Sequence, residues 1–400
     1  MGKSFWKSRP VIINEEEKNF NQILSNENIL KDVNDQINSS KLKLDYKLYS
    51  FEKILSKYQI LTDAKLSEIV LFINNNYISS GNDNDGNNFK YIYTFDLLKL
   101  FCKDAIILEF YPINNTTIIG YIIGKRTKLS YFDKCSEFVE VNFLCLTTKL
   151  RNLGLAPFII NCLGKESIIN YNLSFAHYTI NSNIQSPYFS KKKFYHRMIN
   201  IDNLINCKFL NDDSDGKNIS LLKKVYNTFS YKLPSKNKKV IIVNNTNKHL
   251  YVNNIYEKYK IYSKNTYDVY SDTTLEELND ILDNNSFYNF IVLDSFDNLE
   301  SFISFFKIDT INNNYIYKNG FYYKICFPLE TEKMDKIDYL ELVNEYIYIN
   351  NIFDVITFAD HFNINFKQMK CVQGTGELKY YLFNYNFTKI CNHKNGLVTI

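Results

Sequence analysis

Apolar and polar positions change period several times along the chain, and each change predicts an element. From Asp63 the apolar residues Leu66, Ile69, Val70 and Ile73 recur at helical spacing, which predicts an amphipathic helix running into the Asn76-Tyr77-Ile78 segment. Residues 79–88 are polar and glycine-containing, can bury almost nothing, and are expected as an exposed loop. A short helix is expected over residues 95–102. Two β-branched runs follow, 106–111 and 117–125, and their connection through Pro112 to Asn115 is a hairpin signal. Residues 137–146 form a third strand, apolar enough for the middle of a sheet. Helical spacing then returns over 154–164, with Leu155, Phe158, Ile159 and Leu163 on the buried side.

The second half repeats this plan. Asp272 and Thr274 with Glu277 cap a helix carrying Leu275, Leu278, Ile281 and Leu282. Strands are expected over 290–295, 301–308 and 321–327, a helix over 338–349, and a last pair of strands over 355–358 and 378–385. The polar stretch 15–38 reads as partly helical or as a strap over the surface. The Lys-rich segment 211–239, with Pro234, separates a first lobe, 1–210, from a second, 240–400. The class is α+β.

Composition narrows the function. The chain has 400 residues, 45% of them hydrophobic, which is enough for two lobes around sizeable cores. A net charge of +4, spread along the chain, argues against nucleic-acid binding or a polybasic membrane anchor. No apolar run approaches the ~20 residues of a membrane span, so no stable membrane insertion is expected. The eight cysteines are scattered without a C-x-x-C pair, as in reduced cytosolic proteins. A cytoplasmic monomer is expected. Met1-Gly2 is followed by Trp6 where a myristoylation signal needs Ser or Thr.

One hexapeptide carries chemistry. Arg151-Asn152-Leu153-Gly154-Leu155-Ala156 fits R-x-x-G-x-A between a central strand and a helix start, where small residues let the backbone approach a pyrophosphate and free amides point at its charge. It resembles the acyl-CoA loop of GNAT acyltransferases. The wider segment is more specific: Val139-Glu140-Val141-Asn142-Phe143-Leu144-Cys145, then Lys149-Leu150-Arg151, then Leu155-Ala156-Pro157. It resembles the E-I-N-F-L-C and K-L-R-x-x-x-x-A-P signature of glycylpeptide N-tetradecanoyltransferases, the N-myristoyltransferases. Further islands follow in family order: Phe5-Trp6-Lys7, Asn76-Tyr77-Ile78, Phe89-Lys90-Tyr91, Tyr178-Thr179, Phe194-Tyr195-His196-Arg197, residues 374–382 and Gly396-Leu397-Val398.

The resemblance implies two pseudo-symmetric GNAT-like lobes, each a mixed, largely antiparallel sheet flanked by helices. It implies transfer of myristoyl from myristoyl-CoA to the N-terminal glycine of proteins and peptides, with no permanently bound cofactor and no metal. The amides of Phe143 and Leu144 would meet the oxyanion, the terminal carboxylate of Ile400 would take the amine proton, and Thr179 would orient the amine. Phe5, Trp6, Lys149, Arg151, Asn152, Leu153, Gly154, Leu155 and Ala156 would hold the donor. Asn142 and Tyr93 would line the glycine pocket. Tyr77, Ile78, Phe89, Tyr91, Asn181, Phe194, His196, Ser304, Tyr322 and Leu378 would contact the peptide.

The chain departs from the family at several of these positions. Leu153-Gly154 stands where Lys-Arg is usual, which implies weaker salt-dependent binding of the donor. Ser79 and Ser80 replace acidic residues after Tyr77, with Asp83 and Asp85 as substitutes, and Asn181 replaces a glycine. Three other readings stay open: a nucleophile built on Cys145, an acyl-CoA or peptide binder without activity, and a GNAT enzyme using a shorter acyl-CoA. A metal hydrolase finds no support, because the five histidines show no ligand spacing.

Overall fold

The computed structural model describes residues 2–7, 9–14, 20–40, 43–51, 58–77, 89–132, 134–151, 153–210, 217–229, 237–312, 315–328, 334–360 and 363–398. In the first half, α1 (Asp63–Asn76) and α2 (Phe95–Cys102) precede an antiparallel meander, β1 (Ala105–Pro112), β2 (Gly120–Tyr131) and β3 (Lys134–Leu146). Helix α3 (Leu155–Tyr171) then leads to β4 (Ala176–Ile180), parallel to β3, and the chain continues into β5 (Ser190–Met198). In the second half, α4 (Val252–Thr266) and α5 (Leu275–Asp283) precede the meander β6 (Phe287–Leu293), β7 (Leu299–Asn312) and β8 (Tyr315–Cys326). Helix α6 (Lys336–Ile349) leads to β9 (Val355–Ala359), parallel to β8, and then to β10 (Cys371–Phe383).

The halves trade their last strands. β5 pairs with β9 of the second half and β10 pairs with β4 of the first, while β5 and β10 pair with each other at the centre. One 15-stranded sheet results, running through β6-β7-β8-β9-β5-β10-β4-β3-β2-β1 with shorter strands at its edges. The apolar alternation of β1 and β2 buries Ile107 and Ile123 against α1 and α2, and Ile106, Leu108 and Ile122 against α3.

Several predicted bounds shift. The second hairpin strand reaches Tyr131, because Tyr131 pairs with Lys134 across a tight turn and the polar residues between alternate outward, Arg126 bonding Glu137. Most of the described part of the stretch 15–38 is a helix, Asn26–Ser39, which runs one residue past it, is capped by Ser25 and buries Ile29 and Val33. Within the second lobe, α4 has no counterpart among the predicted elements. Its buried face is Ile255, Tyr259, Tyr262 and Ser263, so tyrosines stand where an aliphatic stripe would be sought. The predicted strand 378–385 is two elements, β10 and the short strand Tyr385–Thr388, separated at Asn384, which has φ +54°.

Candidate acyl-transfer site

Strand β3 is bulged where the signature lies. Tyr121 faces Cys145 and Ile123 faces Asn142, so Phe143 and Leu144 together oppose Ile122. Phe143 has φ +50°, the left-handed region that a bulky residue adopts only when its surroundings enforce it. The enforcement is aromatic: its ring lies 5.1 Å from Tyr93, 6.0 Å from Tyr77 and 6.2 Å from Phe101. Leu144 points to the other face, against the core of α3. β4 pairs with β3 only from Val139 to Val141, so among the described residues that edge of β3 has no ladder partner beyond Val141. The bulge and this split leave the Phe143 and Leu144 backbone outside the regular ladder.

The helix that follows starts without a cap of its own. Gly154 sits at the N-cap with φ +77° and offers no side chain, and the first turn of α3 carries no acidic residue. A Cβ on Gly154 would meet nothing within 4 Å, so glycine is needed there for its backbone angle and not for room. Lys149 and Leu153 are exposed, Ala156 is half-buried and Leu155 is buried. Arg151 donates to the Asn76 carbonyl at the end of α1, so its guanidinium is engaged with protein and not free in the loop as expected. The helix Gly2–Lys7 lies alongside: Trp6 is 5.8 Å from Tyr178 of β4, Phe5 lies 3.7 Å beneath the Arg9 guanidinium, and Arg9 bonds Asn161 of α3 at 2.7 Å.

The acceptor residues fall into clusters. Tyr93 is clamped to α1 by two bonds with the Asn74 side chain, at 2.9 and 2.8 Å. Asn142 is buried, and among the described residues its Nδ2 has no hydrogen-bond partner. Thr179 sits opposite Tyr380, Tyr91 opposite Thr310, and Leu378 opposite Lys192. Phe89 and His196 meet through Phe209, 6.0 and 5.5 Å from its ring, and Phe194 packs 5.3 Å from Phe321. His196 shares a 3.0 Å bond with Thr357, and burial pushes its imidazole down to about 4, so it is neutral at physiological pH. Asn181 is exposed at the end of β4.

Two expected groove residues are closed off. Ser304 is fully buried and donates to Asn289, which reaches the Ile281 carbonyl of α5, so α5 covers it. Tyr322 is buried as well, 3.5 Å from the Lys192 amine. Ile78, Asn152 and Ile400 lie outside the described residues.

The tail before them is docked. Gly396 donates to the Val269 carbonyl at 2.7 Å, Leu397 is buried, and its carbonyl accepts from Lys192 and from Tyr380. Lys192 and Tyr380 were not among the expected residues. The signal was the Lys191-Lys192-Lys193 run, because a strand must send the middle lysine to the opposite face from its neighbours. Cys145 makes a poor nucleophile, since burial pushes its thiol up to about 12. Among the described residues no group of three or more His, Cys, Asp or Glu is placed to hold a metal, and no helix is long and apolar enough to cross a membrane.

Comparison with known proteins adds to this geometry. Residues 30–190 match the model of the myristoyl-CoA:protein N-myristoyltransferase N-terminal domain. The chain is 25% identical over 435 residues to glycylpeptide N-tetradecanoyltransferase of Plasmodium falciparum, covering 99% of this chain and 93% of that protein. The Kluyveromyces lactis enzyme of the same name is 24% identical over 412 residues, covering 95% of this chain and 85% of the relative. In fold, the chain superposes on Saccharomyces cerevisiae N-myristoyltransferase with bound myristoyl-CoA at a TM-score of 0.76, 18% identity and 99% coverage of both chains.

Proposed function

We propose that this chain, a member of the N-myristoyltransferase family, transfers myristoyl from myristoyl-CoA to the N-terminal glycine amine of proteins and peptides. The observation that carries the reading is the coincidence of the strained β3 bulge at Phe143–Leu144 with the uncapped start of α3 one loop later. In this reading the α3 amides and Lys149 receive the pyrophosphate, and Phe5 and Trp6 cover the donor. The Phe143 and Leu144 amides meet the oxyanion that forms as the amine attacks the thioester carbonyl. Removing one such donor from an acyl-transfer site typically costs ~10²–10³ in rate.

The attacking amine has a solution pKa of about 8, so much of it arrives as ammonium and must lose a proton. In this reading the Ile400 carboxylate accepts that proton, which needs a basicity above that of a solvated terminus, while Thr179 orients the amine and Asn142 and Tyr93 enclose the glycine. The amide then forms as the C–S bond breaks, one of the two protons left on the attacking nitrogen passes to the departing sulfur, and coenzyme A leaves as its thiol. The tail docked through Leu397 supports this assignment. The first lobe, 1–210, would hold the donor; the second, 240–400, joined through 211–239, would bind peptide through Leu378 and supply the C-terminus, while Tyr77, Phe89, Tyr91, Phe194 and His196 of the first lobe would contact the peptide as well. The chain would act as a cytoplasmic monomer.

The test is a mass assay of a glycine-initiated peptide with myristoyl-CoA, alone and against acetyl-CoA. A gain of one tetradecanoyl group is expected with the intact chain. A chain lacking Ile400 should lose about three orders of magnitude in the acyl-transfer step while keeping myristoyl-CoA binding. No mass gain with the intact chain would overturn the activity, and unchanged turnover after truncation would overturn the base.

A further inference from the structure

The Lys191–Lys193 run crosses the middle of the sheet. Lys191 reaches Glu377 at 3.1 Å near the surface, but Lys192 turns inward and is fully buried. Its amine donates to the Leu397 carbonyl, lies 3.5 Å from Tyr322 Oη, and stands 5.1 Å from the centre of the Tyr380 ring. Tyr380 Oη donates to the same carbonyl at 3.2 Å. The two donors come from the two traded strands, Lys192 from β5 and Tyr380 from β10, so the carbonyl is held where the halves interlock.

The rest of the tail is fixed around that point. Asn395 is fully buried and its Oδ1 accepts from the Leu397 amide at 3.0 Å. Gly396 has no space for a side chain, because a Cβ there would come within 2.5 Å of the Tyr267 ring. The lysine itself is costly. A buried ammonium gives up its hydration, typically at several kcal/mol, and the described residues put no carboxylate at ion-pair distance from it. Burial brings its amine down to about 7, with Asp360 pulling the other way from further off. A position that only filled space would be served at lower cost by methionine or leucine.

We propose that Lys192 is a positioning residue for acyl transfer: with Tyr380 it grips the Leu397 carbonyl and so sets where the last residues of the chain are delivered. Three residues of extended chain reach at most about 10 Å, so a grip on Leu397 limits how far the end of the chain can travel, and Thr179 lies in register opposite Tyr380, which shares in that grip. Misplacing a reacting group by about 1 Å can cost ~10² in rate, which is the scale a lost anchor should reach. The inference rests on the acyl-transfer reading.

Lys192→Met, Lys192→Arg and Tyr380→Phe in the full chain test it, read by kcat and KM for peptide, by the Kd for myristoyl-CoA, and by hydrogen exchange of the Gly396 and Leu397 amides. Lys192→Met should lower kcat at least tenfold, leave the Kd within about twofold, and speed exchange of both amides. Lys192→Arg should recover part of kcat, and Tyr380→Phe should lower it about threefold with a smaller gain in exchange. The proposal falls if Lys192→Met keeps kcat within twofold, or if neither Lys192→Met nor Tyr380→Phe changes exchange at the tail. If Lys192→Met does not fold, Tyr380→Phe alone decides by the same exchange criterion. An unaltered chain that acylates nothing would sink the activity, while the exchange measurement would still judge the grip.

Discussion

Helices α3 and α6 occupy the same place in the two repeated halves, each following the third strand of a meander and each preceding a strand parallel to it. Their starts are opposites. α3 begins on Gly154 with no side-chain cap and no acidic residue in its first turn. α6 begins on Asp335, whose side chain takes the Ile337 and Asp338 amides, while the Asp338 side chain returns to the Asp335 amide in a closed capping box. The preceding strands differ in the same sense. Both are bulged, at Phe143–Leu144 and at Tyr323, but among the described residues only the first holds a positive φ. One fold therefore has an open helix start beside strained backbone in one half and a self-satisfied start in the other. In the proposed reading this difference puts the anion site in the first half, although the halves share their topology.

The most direct way to break this contrast is to give α3 a cap like that of α6. Gly154→Asp introduces a residue that tolerates the left-handed region better than most, so the fold should survive. Its carboxylate would occupy the free amides and repel an incoming pyrophosphate. The Kd for myristoyl-CoA measured by calorimetry should rise roughly a hundredfold, about 2.7 kcal/mol, with only a small change in Tm. An unchanged Kd would mean that the donor does not bind at this helix start.

One side of this contrast, and a capping box elsewhere, were legible in the amino-acid order; the Asp335 cap of α6 was not. The R-x-x-G-x-A hexapeptide marked the uncapped start, and Thr274 with Glu277 marked the capping box that begins α5. Hairpin runs and helical stripes are local, so β1, β3, α1 and α2 were found close to their bounds. The traded strands were not, because β5 reads the same whether it pairs with its own half or the other, and partner choice is a long-range property. Burial failed for the same reason. The resemblance put Ser304 in a groove, but α5, packed above it through Ile281 and Asn289, decides that it is covered. Arg151, which the resemblance puts at the donor phosphates, also donates to the carbonyl at the end of α1, a partner distant in the chain that local sequence does not reveal.

The traded strands also differ from each other, and pH separates them. β10 contributes neutral tyrosines at the centre, Tyr380 and Tyr381, whereas β5 contributes His196, held against Thr357 of the second half. Burial lowers this imidazole from 6.5 to about 4. Above the unfolded value near 6.5 it is neutral in both states and its contribution is intact. As pH falls from there toward 4, the unfolded chain binds a proton that the folded chain refuses, and stability drains away. Between about pH 7 and pH 5 the loss should be of order 2 kcal/mol, and His196→Phe should flatten that part of the curve in denaturant titrations. His177, lowered by burial in the same direction, would leave a residual slope. An unchanged slope in His196→Phe would show that the second half does not depend on a neutral histidine at this junction.

The smallest expected effect completes the comparison from the other side. Asp335→Ala opens the α6 start by removing the acceptor of the Ile337 and Asp338 amides, bonded at 2.9 and 3.1 Å. Losing an N-cap of this kind costs ~1 kcal/mol, which should appear as a modest drop in the denaturation midpoint at constant slope. If an open helix start alone made an acyl-CoA site, this variant would gain a second one. No second site is expected, because β8 lacks the left-handed residue that β3 holds at Phe143, and because Tyr322 on β8 itself is buried against Lys192. Calorimetry with myristoyl-CoA should therefore return an unchanged stoichiometry and a Kd within about twofold of the unaltered chain. A doubled stoichiometry would show that the cap, and not the bulge beside it, separates the two halves.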